Sequence, residues 1–154
     1  MIALIQRVSA ARVEVDDQIV GRIDHGICVF VGVQQDDCDA NMERLVNRTL
    51  GYRVFADDSG RMNRSVTDVQ AGVLIVSQFT LAADTDSGLR ASYTSAAPAQ
   101  LAKPLYDAFV CRARALHDPV ATGVFGADMQ ITLCNDGPVS FISVSYTHLR
   151  AHET

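Results

Sequence analysis

"MQITLCNDGPVSFISV", residues 129–144, joins two apolar, strand-like runs through one Gly-Pro pair at 137–138. Proline brings no N–H to a β ladder and glycine brings no side chain to pack. The pair therefore reads as a kink between two strands. Upstream, "GVLIVSQFTL" (72–81) and "ICVFVGV" (27–33) are continuous apolar runs, each expected to form a central strand. Residues 2–8, 12–16 and 19–23 alternate and are rich in β-branched side chains, which predicts three more strands, the last two a hairpin over Asp17-Gln18.

Between these runs lie two helical patterns. Asp36 or Asp37 is the expected cap of a helix through about Leu50, with Met42, Leu45, Val46, Thr49 and Leu50 on one face and Arg44 and Arg48 off it. "YRVFAD" (52–57) then predicts a short strand ended by the turn "DDSG". The second helix runs from about Pro98 to His117, with Leu101, Leu105, Phe109 and Leu116 inward and Pro104 awkward inside it. Strands, helix, strands, helix, strands give an α+β domain with a mostly antiparallel sheet. The intervening loop, "AADTDSGLRASYTSA" (82–96), is long enough to suggest function.

At 154 residues the chain fits a single domain, and 48 % hydrophobic with 20 % charged residues suits a soluble globular one. A net charge of −5 gives no general pull toward nucleic acid, so any grip on RNA must be local. Arg44, Arg48, Arg53, Arg61 and Arg64 cluster in sequence, but a solvated helix face and loop explain them as well. The four cysteines form no CxxC pair. Cys28 and Cys134 lie in apolar runs and are expected to be buried free thiols. The N-terminus reads as neither signal peptide nor membrane span, and together these features predict a cytoplasmic, reduced protein.

The last residues, "VSYTHLRAHET" (144–154), change character and resemble the in-frame translation of a transposon-end sequencing adapter. Residues 1–144 are therefore the expected domain, and 145–154 a non-native tail excluded from fold reasoning. Setting it aside removes His148 and His152 and leaves His25 and His117 as candidate acid–base or metal groups.

No GxSxG elbow, Walker loop, HExxH or GxGxxG occurs, and two histidines leave little room for a Ser-His-Asp triad. Two places remain unusual. At "SQFTL" (77–81) a buried strand ends in polar Ser77, Gln78 and Thr80 on both faces. A satisfied strand end accounts for it; so does a row of hydroxyls, amide and backbone N–H groups suited to holding an ester carbonyl. At Gly137-Pro138 a tight connecting turn is one reading, and a costly, specific cis peptide is another.

Taken together, "SQFTL" (77–81) and "NDGPVS" (135–140) resemble the D-aminoacyl-tRNA deacylase family, whose signatures are SQxTL and NxGPxT. "MIALIQRV" (1–8), "LGYRVFAD" (50–57), "GLRASY" (88–93) and "FGADMQITLCNDGPV" (125–139) extend the resemblance in register from Met1 to about Ser143. The fold it implies is α+β: a mostly antiparallel, barrel-like β-sheet with two main helices in a single domain. The function it implies is hydrolysis of the ester between a D-amino acid, or glycine mischarged on tRNA-Ala, and the 3′ adenosine of tRNA. Neither cofactor nor metal is implied. The partners implied are aminoacyl-tRNA and a second copy of the chain, in a homodimer with active sites at the subunit interface.

By the same resemblance Ser77, Gln78 and Thr80 are the catalytic candidates, and Phe79, Gly137, Pro138 and Met129 the substrate-binding ones. In the family the Gly-Pro peptide is cis and enters the pocket from the other subunit. Its carbonyls take the α-amino group and leave no volume for an L side chain, so the kink would act as a chiral gate. Arg7 matches the arginine that holds this loop, with Asn135 as a further support. Thr80 has no partner base in the sequence. The expected chemistry is therefore orientation of substrate and water with oxyanion stabilisation, assisted by the ribose 2′-hydroxyl.

Ser140, Ala91, Tyr93 and Pro104 depart from the family pattern, and none falls in Gly137-Pro138 or Ser77–Leu81. Three other readings stay open: a paralogue with a trans Gly-Pro admitting a small L residue, a non-catalytic RNA- or DNA-binding dimer, and a purely structural dimer. Steep salt dependence without turnover would mark the binding dimer.

Overall fold

The computed structural model describes residues 1–146. The N-terminal alternation yields one long strand, β1 (Ile2–Val15), where two were expected, followed by β2 (Gln18–Ile23) and β3 (Gly26–Gly32). Asp16 and Asp17 carry positive φ of 49° and 63° and make the tight β1–β2 turn, one residue before the expected position. Next come α1 (Asp39–Gly51), the short strands β4 (Phe55–Ala56) and β5 (Met62–Arg64), and a one-turn α2 (Val66–Val69). β6 (Gly72–Ser77), α3 (Ala99–Leu116), β7 (Val120–Thr122) and β8 (Gln130–Val144) complete the order.

The main sheet runs β2-β1-β3-β6-β7, with β8 along the other edge of β1. β1 pairs antiparallel with β2, β3 and β8, whereas β3–β6 and β6–β7 are parallel. The α+β class and mostly antiparallel sheet are as expected, with a parallel centre. The sheet curls into a nearly closed barrel. At Gly21 of β2 an added Cβ would lie 2.2 Å from the Thr122 carbonyl oxygen of β7, so a bare backbone permits this approach.

Burial separates two cores. Ile27, Val29, Val31, Val73 and Ile75 face the helices, packed with Leu45, Val46 and Phe109. Cys28, Leu74 and Val76 point the opposite way, onto Val8, Ala11 and Val13 of β1. β3 and β6 are thus covered on both faces, which is why they read as unbroken apolar runs.

Several expectations are corrected. The α1 cap is Cys38, because Asp37 is occupied by the Met1 ammonium group at 2.7 Å and the Gln34 amide at 2.7 Å. The α1 face is as read: Met42, Leu45, Val46, Thr49 and Leu50 are buried. In α3 the buried stripe is Ala102, Tyr106, Phe109, Val110 and Ala113, while Leu101 and Leu116 are 54 % and 46 % exposed. Small alanines bring this helix against its neighbours, so a face judged by leucines alone is misaligned. α3 runs through Pro104 without interruption.

β6 stops at Ser77, and residues Phe79–Ala82 form a 3₁₀ turn instead of continuing the strand. The Gly-Pro pair, conversely, lies inside the continuous β8. Cys28 is buried as expected, and burial pushes its thiol up to about 12, but Cys134 is exposed. Of the segment 145–154, residues 147–154, with His148 and His152, lie outside the described residues. Ser145 is buried and exchanges backbone hydrogen bonds with Met1.

Candidate active site

The site grows from the carboxyl ends of two parallel strands. Val31 of β3 pairs with Ser77 of β6, and the Gln78 amide then donates to the Val31 carbonyl at 2.8 Å. Beyond that bond the chain leaves the sheet for the 3₁₀ turn, which displaces Phe79 and Thr80 from the ladder and exposes both side chains. A cavity of about 770 Å³ opens here. Ser77, Gln78, Phe79 and Met129 line it, with Tyr93 from the long loop and Tyr106 from α3.

The polar groups of this wall are neutral. The Gln78 side-chain amide donates to the Thr80 Oγ1, which leaves the Thr80 proton free to donate elsewhere. Tyr106 donates to the Ile75 carbonyl at 3.2 Å, and burial pushes its phenol well above the usual range. Among the described residues lining the cavity there is no carboxylate, lysine, arginine or histidine. Such a wall supplies hydrogen bonds and shape, not a titrating base.

His25 packs edge-on against Phe55 with ring centroids 5.1 Å apart, and His117 is buried with its Nε2 2.6 Å from the Ala71 carbonyl oxygen. Neither borders the cavity. Among the described residues no three His, Cys, Asp or Glu side chains are grouped to hold a metal ion. No helix among them is long and apolar enough to cross a membrane.

Gly137-Pro138 sits elsewhere. Gln6 pairs with Ser140 and Val8 with Asn135, so Arg7 alone faces residues 136–139 in a wide β-bulge. The Gly137-Pro138 peptide is cis, and both residues are exposed. Arg7 Nε donates to the Asp136 carbonyl at 3.1 Å and Nη1 to the Val54 carbonyl at 2.6 Å. Its side chain is 15 % exposed and lies 3.4 Å from an Asp136 carboxylate oxygen. Gly137 has φ of +127°, and a Cβ there would meet Val139 at 2.9 Å and the Arg7 guanidinium at 3.1 Å. Asn135 is exposed at the edge of this bulge.

One wall therefore gathers Ser77, Gln78, Phe79 and Met129, with the exposed Thr80, hydrogen-bonded by Gln78, adjoining it without lining the cavity; Arg7, Asn135, Gly137 and Pro138 form a second cluster that does not line the cavity. Sequence reasoning missed Tyr106 as a lining residue, since a tyrosine on a helix face signals only burial. It also missed Val54, whose contact with Arg7 is made by a carbonyl that carries no residue signature.

The fold and these sites define a small α+β barrel whose pocket works with neutral hydrogen-bonding groups. Residues 4–144 match the family described as D-Tyr-tRNA(Tyr) deacylase. The chain is similar to the D-aminoacyl-tRNA deacylase of Ectopseudomonas mendocina, 58 % identical over 90 % of this chain and 96 % of that protein. It is also similar to that of Cellvibrio japonicus, 54 % identical over 92 % and 97 %. The chain belongs to the D-Tyr-tRNA(Tyr) deacylase family, whose members are hydrolases of the aminoacyl-tRNA ester bond.

Among solved structures, one described as a c-Myc DNA Unwinding Element Binding Protein superposes with a TM-score of 0.91 at 37 % identity, covering 96 % of this chain and all of that one. A probable eukaryotic D-amino acid tRNA deacylase shares the fold, with a TM-score of 0.82 at 16 % identity over 92 % and 97 % of the chains.

Proposed function

We propose that this protein hydrolyses the ester of D-aminoacyl-tRNA and spares L-aminoacyl-tRNA. The observation that carries this reading is the neutral cavity built on Ser77–Phe79, within a chain matching the deacylase family over residues 4–144. The 3′ adenosine and its ester carbonyl enter at the end of β6. Ser77, Gln78 and Thr80 supply hydrogen bonds to the carbonyl as negative charge develops on it, and Gln78 orients the Thr80 hydroxyl to donate. An aminoacyl ester is already reactive, so positioning it with water beside the ribose 2′-hydroxyl suffices without a protein nucleophile.

Chirality is read by the Gly137-Pro138 loop of a second copy in a homodimer. The arrangement agrees with an exposed loop that does not line the Ser77–Phe79 cavity of its own chain and is pinned from behind by Arg7. Main-chain acceptors bind the α-amino group, and an L side chain would collide with the loop. Glycine, lacking a side chain, passes, so glycyl-tRNA is also a substrate. The functional domain is residues 1–144, and the tail from 145 is foreign to it, although Ser145 hydrogen-bonds Met1.

The test is hydrolysis of matched D- and L-tyrosyl-tRNA by the protein and by Pro138→Ala. Turnover of the D ester alone, with discrimination falling at least several-fold in the variant, is expected. A folded protein that turns over neither ester would overturn the reading. A second reading, a non-catalytic nucleic-acid-binding dimer, is favoured by the description of the DNA-element-binding neighbour. The net charge of −5 opposes it, and binding with a steep salt slope but no turnover would select it.

A further inference from the structure

Phe79 and Tyr93 are 60 % and 49 % exposed, yet their rings contact each other with centroids 5.3 Å apart and planes tilted by 45°. Both line the same cavity, one from the 3₁₀ turn and one from the long loop. Large aromatic rings held at a cavity rim with open faces are unlike the single exposed apolar residues scattered over most protein surfaces.

The loop that presents Tyr93 is built to hold it. Asp84 and Ser92 exchange backbone hydrogen bonds of 2.7 and 2.9 Å, closing the tip 85–91 into its own ring. Ser95 Oγ donates to the Ala82 carbonyl at 2.6 Å, Gln35 Nε2 donates to the Thr94 carbonyl at 2.6 Å, and Gln34 bridges Ala96. Tyr93 thus lies between two anchored points. Arg90, on the closed tip, is exposed and has no hydrogen bond or ion pair among the described residues.

We infer that Tyr93, with Phe79, is a stacking platform for the nucleobase immediately 5′ of the terminal adenosine of tRNA. The inference rests on the deacylase reading, which puts the terminal aminoacyl-adenosine inside the cavity. The next nucleotide then crosses the rim, where it is single-stranded and has a free base face. Exposed aromatic rings stack on such bases without needing hydrogen-bond readout. Arg90 provides a cation for the connecting phosphate in a chain whose overall charge offers none.

The experiment is a double-perturbation cycle: the protein, Tyr93→Ala and Tyr93→Phe, each with intact D-tyrosyl-tRNA and with the same tRNA abasic at the penultimate position. Tyr93→Ala on intact tRNA, and the protein on abasic tRNA, should each raise KM on the order of ten-fold with kcat little changed. Together they should lose no more than either alone, because they remove one shared contact. Tyr93→Phe should retain the KM of the protein, which a merely structural role of the hydroxyl would not predict. Losses that add independently, or a fall confined to kcat, would overturn the platform.

Anisotropy of uncharged tRNA repeats the cycle without chemistry. If no ester is turned over, the deacylase reading fails. Coupling between Tyr93 and the penultimate base in that binding assay would still support the platform, and additive losses there would overturn it.

Discussion

At Arg7 a single guanidinium holds two carbonyls that belong to different parts of the chain, Val54 and Asp136. Lysine has one compact donor head and no planar fork, so it reaches one of them and leaves the other unpaired. Arg7→Lys should cost about 1.5 kcal/mol of unfolding free energy, the lower range for a charge-assisted bond. It should also raise hydrolysis of the L ester relative to the D ester by roughly ten-fold, the counterpart of losing about 1.4 kcal/mol of discrimination. Paired denaturant titrations and D/L turnover measure both. Discrimination unchanged in a destabilised Arg7→Lys would show that the bulge is held by something else. The arginine was legible only through the family resemblance carried by "MIALIQRV"; its bond to Val54 was not, because a main-chain acceptor looks the same beneath any residue.

At the level of elements, strand and helix placement was largely legible, and the misses have physical causes. Alternation in β1 was read as two strands because Arg7 and the exposed Ser9 and Ala10 interrupt it. The pairing with β8 slips at those same points. β6 ends at Ser77, short of the expected Leu81; three polar residues could not reveal the turn from strand to 3₁₀ geometry. The cavity depends on that turn. Barrel closure was legible only through the family resemblance and not from periodicity, since it rests on β2 meeting β7 from opposite ends of the sheet. Gly21→Val should test it by forcing a side chain against the Thr122 backbone. A loss of about 2 kcal/mol is expected, within the range for overpacking. Gly51→Ala is the control, because nothing lies within 4 Å of its added Cβ. Equal stability of both variants in urea titration would mean that the edges do not depend on this contact.

For the whole molecule, the two candidate clusters do not line one cavity within a single chain, so the proposed function turns on assembly. The proposed homodimer predicts a sedimenting mass of twice the 16.7 kDa chain at micromolar concentration. It also predicts loss of D/L selectivity on dilution to monomers. A monomer that discriminates fully would overturn the exchange of loops between copies. Composition gave the single domain correctly in class but said nothing of this division, because it counts residues without locating them. The bulge opposite Arg7 has one more implication. Pairing resumes on both sides of it, at Ser140 with Gln6 and at Asn135 with Val8. Changes in the main-chain path of residues 136–139 therefore need not shift that register, with Gly137 kept because a Cβ there would press on Val139 and Arg7. Such a segment is open to evolutionary tinkering: if it reads chirality as proposed, selectivity is free to diverge here while the barrel that carries it is inherited unchanged.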